Sequence, residues 1–179
     1  MRVVAGSLSG RRLQSPSDRT VRPTADRVRE AVFNALYSRF SLEGLEVLDL
    51  FAGSGALGIE ALSRGAERVT FVDSSEMCIQ TVKSNLESCD LLHRADLVMA
   101  DGPIWLLEES RKWDLILLDP PYSFTNWSNL LGDHLIDLVN GLVVTESDRE
   151  FDPGFKWNVD FSRRYGSTVV MFLTPTLDG

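Results

Sequence analysis

The segment Asp119-Pro120-Pro121-Tyr122 has the residue types needed to hold a planar amine. Two consecutive prolines lack backbone N–H groups and fix φ at about −65°, so Asp119 and the Pro120 carbonyl form a rigid pair of acceptors. Such a pair can hold both N–H groups of an exocyclic base amine and direct the nitrogen lone pair towards an electrophile. Tyr122 would offer a flat face to an unstacked base. Taken alone, the segment fits an ordinary proline-fixed loop better, and the functional interpretation depends on its position after a strand at the predicted ligand edge.

A glycine-rich segment between residues 47 and 58 has the pattern of a nucleotide-binding turn. The apolar run at residues 47–50 contains one acidic residue, Asp49, near its end. Gly53, Gly55 and Gly58 follow at G-x-G-x-x-G spacing. Glycines at this spacing let the backbone turn sharply, let a ligand approach it and let the next helix pack closely on the strand. A second apolar run ends in Asp73 about 20 residues later, where an acceptor for ribose hydroxyls is expected. Together the two segments predict a nucleotide-type cofactor site.

The charge of Asp49 distinguishes between two classes of cofactor. A dinucleotide would bring a pyrophosphate to the glycine turn, where a neighbouring carboxylate repels it. S-adenosylmethionine instead brings a sulfonium and an ammonium group, and both are attracted to a carboxylate. The acidic end of this strand therefore favours the methyl donor over NAD.

Carboxylates recur at the predicted strand ends, at Asp49, Asp73, Asp101 and Asp119. A doubly wound parallel sheet binds its ligand at the carboxyl edge of the strands, so these side chains are expected to lie close together. Apolar strand segments separated by helical patterns predict an α/β fold of this kind. It would have seven strands, mostly parallel, with the last two forming an antiparallel pair. The predicted strands are 47–50, 67–73, 95–100, 113–118, 141–146, 159–163 and 168–173, and the predicted helices are 24–40, 56–64, 75–88, 104–109 and 129–139.

Basic residues are concentrated at the amino terminus. Residues 1–40 carry eight arginines and three acidic residues, a net charge of +5, whereas residues 41–179 carry 10 basic and 23 acidic side chains, a net charge of −13. Residues 2–5 and 11–13 can pair as a hairpin around a turn-rich segment, and Thr24 is the predicted N-cap of the following helix. We therefore expect a basic hairpin and helix extension over 1–40 and a main domain over 41–179. The arginines fit a phosphate-contacting surface and a solvated basic face equally well.

The remaining composition indicates an ordinary globular protein of the cytoplasm. No apolar run approaches the roughly 20 residues that cross a bilayer, and residues 1–7 lack the apolar core of a signal peptide. Cys78 and Cys89 have neither disulfide-framework nor metal-site spacing, so reduced thiols are expected. His93 and His134 are expected to be surface or helix residues, and no metal is predicted.

Several motifs together identify the chain as similar to a known family. It resembles the class I S-adenosylmethionine-dependent methyltransferases with their Rossmann-like fold, and more closely the bacterial 16S rRNA (guanine-N2)-methyltransferase D family. The resemblance covers nearly the whole chain, and its most specific part is amino-terminal. The matching segments are Ala5-Gly6 with 10–13, 22–24 with 26–30 and Phe33-Asn34, then 49–58, 119–122 and 144–147.

This resemblance implies roles for individual residues. Cofactor-binding residues would be Asp49, Phe51, Gly53 and Gly55 around the methionine moiety, Asp73 at the ribose and Asp101 at the adenine amine. The target guanine would be held by the catalytic residues Asp119, Pro120, Pro121 and Tyr122. Ribosomal RNA, as part of the small subunit, would be the partner of a monomeric enzyme. The charge distribution, and not the resemblance, predicts that Arg11, Arg12, Arg22 and Arg27 contact this RNA.

Two other readings stay open from the residues themselves. A related class I enzyme could methylate adenine N6 in DNA or RNA, or an amide nitrogen in a protein. A non-catalytic or NAD-binding Rossmann domain would leave the segment beginning at Asp119 unexplained. Glu146, at the end of the fifth predicted strand, is expected to serve as a capping or ion-pair carboxylate in preference to a catalytic one.

Overall fold

A computed structural model describes residues 1–16 and 23–176 of the chain. The strands are β1 (Glu46–Asp49), β2 (Arg68–Asp73), β3 (Ala95–Met99), β4 (Trp113–Leu118), β5 (Val139–Ser147), β6 (Trp157–Tyr165) and β7 (Thr168–Pro175). They form one seven-stranded sheet in the order β3-β2-β1-β4-β5-β7-β6. The first five strands are parallel, and β7 runs antiparallel between β5 and β6. This confirms the predicted fold class and places the topological switch point between β1 and β4.

The helices follow the predicted order with local differences. They are α1 (Pro23–Tyr37), α2 (Ala56–Ser63), α3 (Glu76–Ser88), α4 (Gly102–Leu106), α5 (Trp127–Leu130) and α6 (Asp133–Leu138), with a 3₁₀ turn over Leu92–Arg94. Ser75 caps α3 as predicted, its hydroxyl accepting from Cys78 N–H. The prediction that Thr24 is an N-cap is wrong, because α1 begins at Pro23 and includes Thr24.

The single predicted helix over 129–139 is also wrong, since α5 and α6 are separate. Gly132 adopts an extended backbone with ψ −175° between them. A Cβ at Gly132 would lie 3.0 Å from the Asn129 carbonyl oxygen, so the chain turns tightly there. The predicted helix over 104–109 instead spans Gly102–Leu106, because the Asp101 side chain caps it by accepting from Ile104 N–H at 3.2 Å.

The core lies in two layers, one on each face of the sheet. One layer joins the hairpin and helices α1 to α3 to strand residues that include Leu117 and Val144. The other joins α4 to α6 to strand residues that include Leu118 and Val143. Side chains alternate between the faces along each strand, so Glu146, two positions beyond Val144 on β5, belongs to the α1 side.

The amino-terminal hairpin is shorter than predicted and firmly docked. Arg2 and Arg12 form one antiparallel bridge, flanked by a hydrogen bond from Val3 N–H to the Arg11 carbonyl at 2.9 Å. Buried Glu60 of α2 accepts from the backbone N–H groups of Val4 at 2.7 Å and Ala5 at 3.0 Å. Because these bonds tie the hairpin to α2, the hairpin and the sheet pack as one unit. In the described ranges no helix has the length and apolar character to span a membrane.

Candidate active site at the carboxyl ends of the strands

The turn between β1 and α2 has the geometry that its glycines predict. Gly53 and Gly55 adopt left-handed backbone angles, with φ of 56° and 76°. Gly58 is required by packing instead, since a Cβ there would lie 2.3 Å from the ring of Phe71. The first two glycines therefore shape the turn, and the third lets α2 pack closely on β2.

Asp49 is a buried carboxylate directly below this turn. Its side chain is 1% exposed, and its Oδ2 accepts from Gly58 N–H at 3.0 Å. Among the described residues no group hydrogen-bonds to its Oδ1. Burial, opposed by the Gly58 hydrogen bond and assisted by repulsion from Asp119 and Asp73, raises the pKa of Asp49 to about 7. An unsatisfied buried oxygen of this kind fits a cationic ligand, which would favour the ionised form.

Asp73 at the end of β2 connects two segments of the site. Its Oδ2 accepts from Gly53 N–H at 2.8 Å and its Oδ1 from Ser75 N–H at 2.8 Å. Each carboxylate oxygen has a second lone pair, so these bonds leave acceptors for ribose hydroxyls. The carboxylate thus also fixes the glycine turn, a role that sequence reasoning missed.

Asp101 follows β3, and Phe51 follows β1 at the start of the glycine turn. Asp101 is exposed and caps α4, and the neighbouring Gly102 is so close that a Cβ would lie 3.0 Å from Leu50. Phe51 is half-buried, with its ring centroid 5.6 Å from that of Phe124.

Phe124 belongs to an aromatic cluster that the sequence analysis did not anticipate. It meets Trp127 edge-on at 5.3 Å, and Trp127 stacks on Phe151 at 4.3 Å. The four rings, Phe51 included, link the glycine turn to the loop after Tyr122. The one signal in the sequence was the density of aromatic residues just after that tyrosine.

The segment beginning at Asp119 lies directly after β4, next to β1 in the sheet. Asp119 and Pro121 are exposed, Pro120 is buried and Tyr122 is half-buried. A tight turn follows, closed by a hydrogen bond from Phe124 N–H to the Pro121 carbonyl at 2.8 Å. The Tyr122 hydroxyl lies 3.4 Å from Thr168 Oγ1, which anchors the tip of the ring.

Glu146 joins the same group of carboxylates. It follows Thr145 on β5, the register partner of Leu118, so it lies beside Asp119 across the two strands. Burial and repulsion from Asp119 and Asp49 raise the pKa of Glu146 well above its usual range, and the nearby Arg29 opposes this shift. The site therefore collects four carboxylates, at Asp49, Asp73, Asp119 and Glu146.

Three of the four arginines predicted to contact RNA lie within the described residues. Arg11, Arg12 and Arg27 are exposed, and Arg11 donates a hydrogen bond to the Ser88 carbonyl. Arg22 lies outside the described residues. Because Arg29 is 4% exposed and faces Glu60 at 3.8 Å, it belongs to the interior and not to the basic surface.

Buried Asn85 connects the hairpin segment to the cofactor turn. Its Oδ1 accepts from Gln14 N–H at 2.8 Å, and its Nδ2 donates to the carbonyls of Gln14 at 3.0 Å and Ser54 at 2.9 Å. Sequence reasoning missed this residue, although it lies seven residues after Cys78 on the buried face of α3. A polar residue in such a position signals a specific hydrogen-bond role.

Comparison with known proteins places the chain in a family. The family model "Conserved hypothetical protein 95" matches residues 1–174. "Putative rRNA methyltransferase YlbH" of Bacillus subtilis is 42% identical over 160 residues, 85% of each chain. "Ribosomal RNA small subunit methyltransferase D" of Haemophilus influenzae is 32% identical, covering 84% of this chain and 80% of that protein. The solved structure of "Putative methyltransferase yhhF" from Escherichia coli is 28% identical, with a TM-score of 0.85 and coverage of 98% and 97%.

Proposed function

The chain belongs to this family, that of the small-subunit ribosomal RNA methyltransferases D within the class I methyltransferases, and we propose that it methylates the N2 amine of a guanine in 16S ribosomal RNA. The observation that carries the proposal is the position of Asp119. It follows β4 immediately beside β1, so an amine held there lies next to the glycine turn and Asp49.

S-adenosylmethionine is the methyl donor used by this class of enzymes, and the cofactor prediction is confirmed at that level. When bound, it supplies an electrophilic methyl group on a positively charged sulfur. The residues present fit such a group: Asp49 offers an unsatisfied buried oxygen, and Asp73 keeps lone pairs for hydroxyls. Gly53 and Gly55 give the turn its left-handed backbone, which residues with side chains rarely adopt.

The chain's own contribution to the reaction is the positioning of the amine. An exocyclic amine is a poor nucleophile because its lone pair is delocalised into the ring. Asp119 and the Pro120 carbonyl accept its two N–H groups, which favours a pyramidal nitrogen with its lone pair available. The proton lost from nitrogen after transfer passes to Asp119 or to water. Tyr122, anchored at Thr168, supports the plane of the base.

The experiment that tests the proposal is transfer of labelled methyl groups followed by nucleoside analysis. The acceptors are naked ribosomal RNA, small ribosomal subunits and total nucleic acid from a host that lacks the enzyme. We expect label in N2-methylguanosine of 16S RNA, and the matched variant Asp119→Ala should transfer little. Label in N6-methyladenine would contradict guanine as the substrate and favour methylation of adenine. Label in protein would favour methylation of an amide nitrogen.

Several broader expectations depend on this proposal. An enzyme of ribosomal RNA works in the cytoplasm, and an assembled or partly assembled small subunit would be its partner. Action as a monomer and the division into an extension over 1–40 and a main domain over 41–179 stay predictions. The label assay with naked RNA and with subunits in parallel also decides which form is the substrate.

A further inference from the structure

We propose that Glu146 selects guanine by accepting a hydrogen bond from the N1–H group of the base whose amine is held at Asp119. The inference rests on the proposed function, since it concerns the base that enters the same site. It assigns a recognition role to a residue for which the sequence favoured only capping or ion pairing.

The register of the sheet places Glu146 beside Asp119. Leu118, the last residue of β4, pairs with Thr145 of β5. Asp119 follows the end of β4, and Glu146 is the next residue of β5. Leu117 and Val144, two positions earlier, both belong to the core layer on the α1 side. Alternation along β5 therefore directs Glu146 to that same side of the sheet. Asp119, just after β4, is close enough to Asp49 and Glu146 to repel both.

The carboxyl group of Glu146 has acceptor oxygens available for a hydrogen-bond donor of a ligand. Its side chain is half-buried, and no hydrogen bond joins its carboxyl group to any part of the chain that the structure describes. Arg29, itself 4% exposed, is the nearby cation that offsets part of the repulsion from Asp119 and Asp49. The ionised carboxylate has only acceptor oxygens, so it pairs with an N–H group and not with a lone pair.

The Watson–Crick edge of guanine carries three adjacent N–H groups, one at N1 and two on N2. The site offers three acceptors in the same order along the strand ends: Glu146, Asp119 and the Pro120 carbonyl. Adenine carries a lone pair at N1 and would leave Glu146 facing another acceptor. A site built to pair an N–H group rejects bases that lack it, because its own buried polar atom is then left unpaired.

The test replaces the target guanine of the RNA and Glu146 of the protein, separately and in combination, and compares the rates. Small subunits are reconstituted with 16S RNA in which the methylated guanine, mapped by the label assay, is replaced by 2-aminopurine. This base keeps the amine at C2 but has a lone pair at N1. kcat/KM is measured on both subunits for the wild type, Glu146→Ala and Glu146→Gln. Glu108→Ala, at an exposed site after α4, is the matched control.

We expect Glu146→Ala to lose on the order of 10²-fold on guanine and less than about threefold on 2-aminopurine. Glu146→Gln keeps an acceptor oxygen and should lose only about tenfold on guanine, while its N–H group can pair with N1 of 2-aminopurine. Equal losses on both bases would overturn the inference, because a structural role does not change discrimination between bases. Absence of N2-methylguanosine with the wild type would instead overturn the proposed function.

Discussion

Asp73 and Gly53 are joined directly: the carboxylate at the end of β2 accepts the backbone N–H of the glycine turn after β1 at 2.8 Å. The glycine turn and the end of β2 are therefore joined by a hydrogen bond before any ligand enters. A residue predicted only to bind the ribose also holds the turn in its left-handed conformation. Replacing it should affect both binding and folding.

Asp73→Ala is expected to weaken S-adenosylmethionine binding by about 1.5–3 kcal/mol, the range for hydrogen bonds to a charged group. It should also lower the free energy of unfolding of the donor-free protein by about 1–3 kcal/mol, because the N–H groups of Gly53 and Ser75 lose their acceptor. Calorimetry and urea unfolding measure the two effects. A donor affinity equal to that of the wild type would show that the carboxylate only supports the turn.

Asp49→Asn is expected to stabilise the donor-free protein at pH 8. The folded pKa of about 7 lies above the unfolded value of 3.8, so the wild type loses stability as the pH rises between them. Asparagine removes the buried charge and keeps an acceptor for Gly58 N–H. The gain in free energy of unfolding has an upper bound on the order of 4 kcal/mol at pH 8 and vanishes near pH 4. Urea unfolding at both pH values checks this, and a gain of equal size at pH 4 would contradict it.

The affinity for S-adenosylmethionine should fall as the pH decreases below about 7 in the wild type. Protonation of Asp49 removes the negative charge that attracts the sulfonium, and the loss approaches at most about tenfold per pH unit. Calorimetric titrations between pH 5.5 and 7.5 measure it. Asp49→Asn should bind weakly with a flat profile over this range, whereas an unchanged slope in this variant would assign the titration to another group, such as Glu146.

Asp119→Ala is expected to reduce methyl transfer by about 10²–10³-fold, because the target amine loses an acceptor that acts in the transition state. Donor affinity should change little and can increase slightly, since Asp119 repels Asp49. Single-turnover assays together with calorimetry separate these effects. Turnover close to the wild-type value would remove Asp119 from the mechanism.

The sequence predicted best those parts of the site that local patterns determine. Asp49, Asp73 and Asp119 each end an apolar run, so their shared edge follows from the parallel sheet alone. The contacts of Glu60 with Val4 and of Asn85 with Gln14 join residues 56 and 71 positions apart, and no local pattern encodes them. The break between α5 and α6 escaped prediction because the apolar periodicity continues through Gly132.

RNA affinity is expected to depend on the exposed arginines of the first 40 residues, because the rest of the chain carries −13 and repels a phosphate backbone. Arg12 and Arg27 are the test positions, since both are exposed. The double variant Arg12→Ala/Arg27→Ala should bind small-subunit RNA more weakly, with a salt dependence flatter by up to about 0.7 to 0.9 for each phosphate that the protein no longer neutralises. Donor affinity should not change.

Arg163→Ala, an exposed arginine on the edge strand β6, is the matched control. Filter binding between about 50 and 200 mM salt measures the slopes. If the double variant keeps the wild-type affinity and slope, or if Arg163→Ala weakens binding equally, the amino-terminal arginines form only a solvated face and the RNA is held elsewhere.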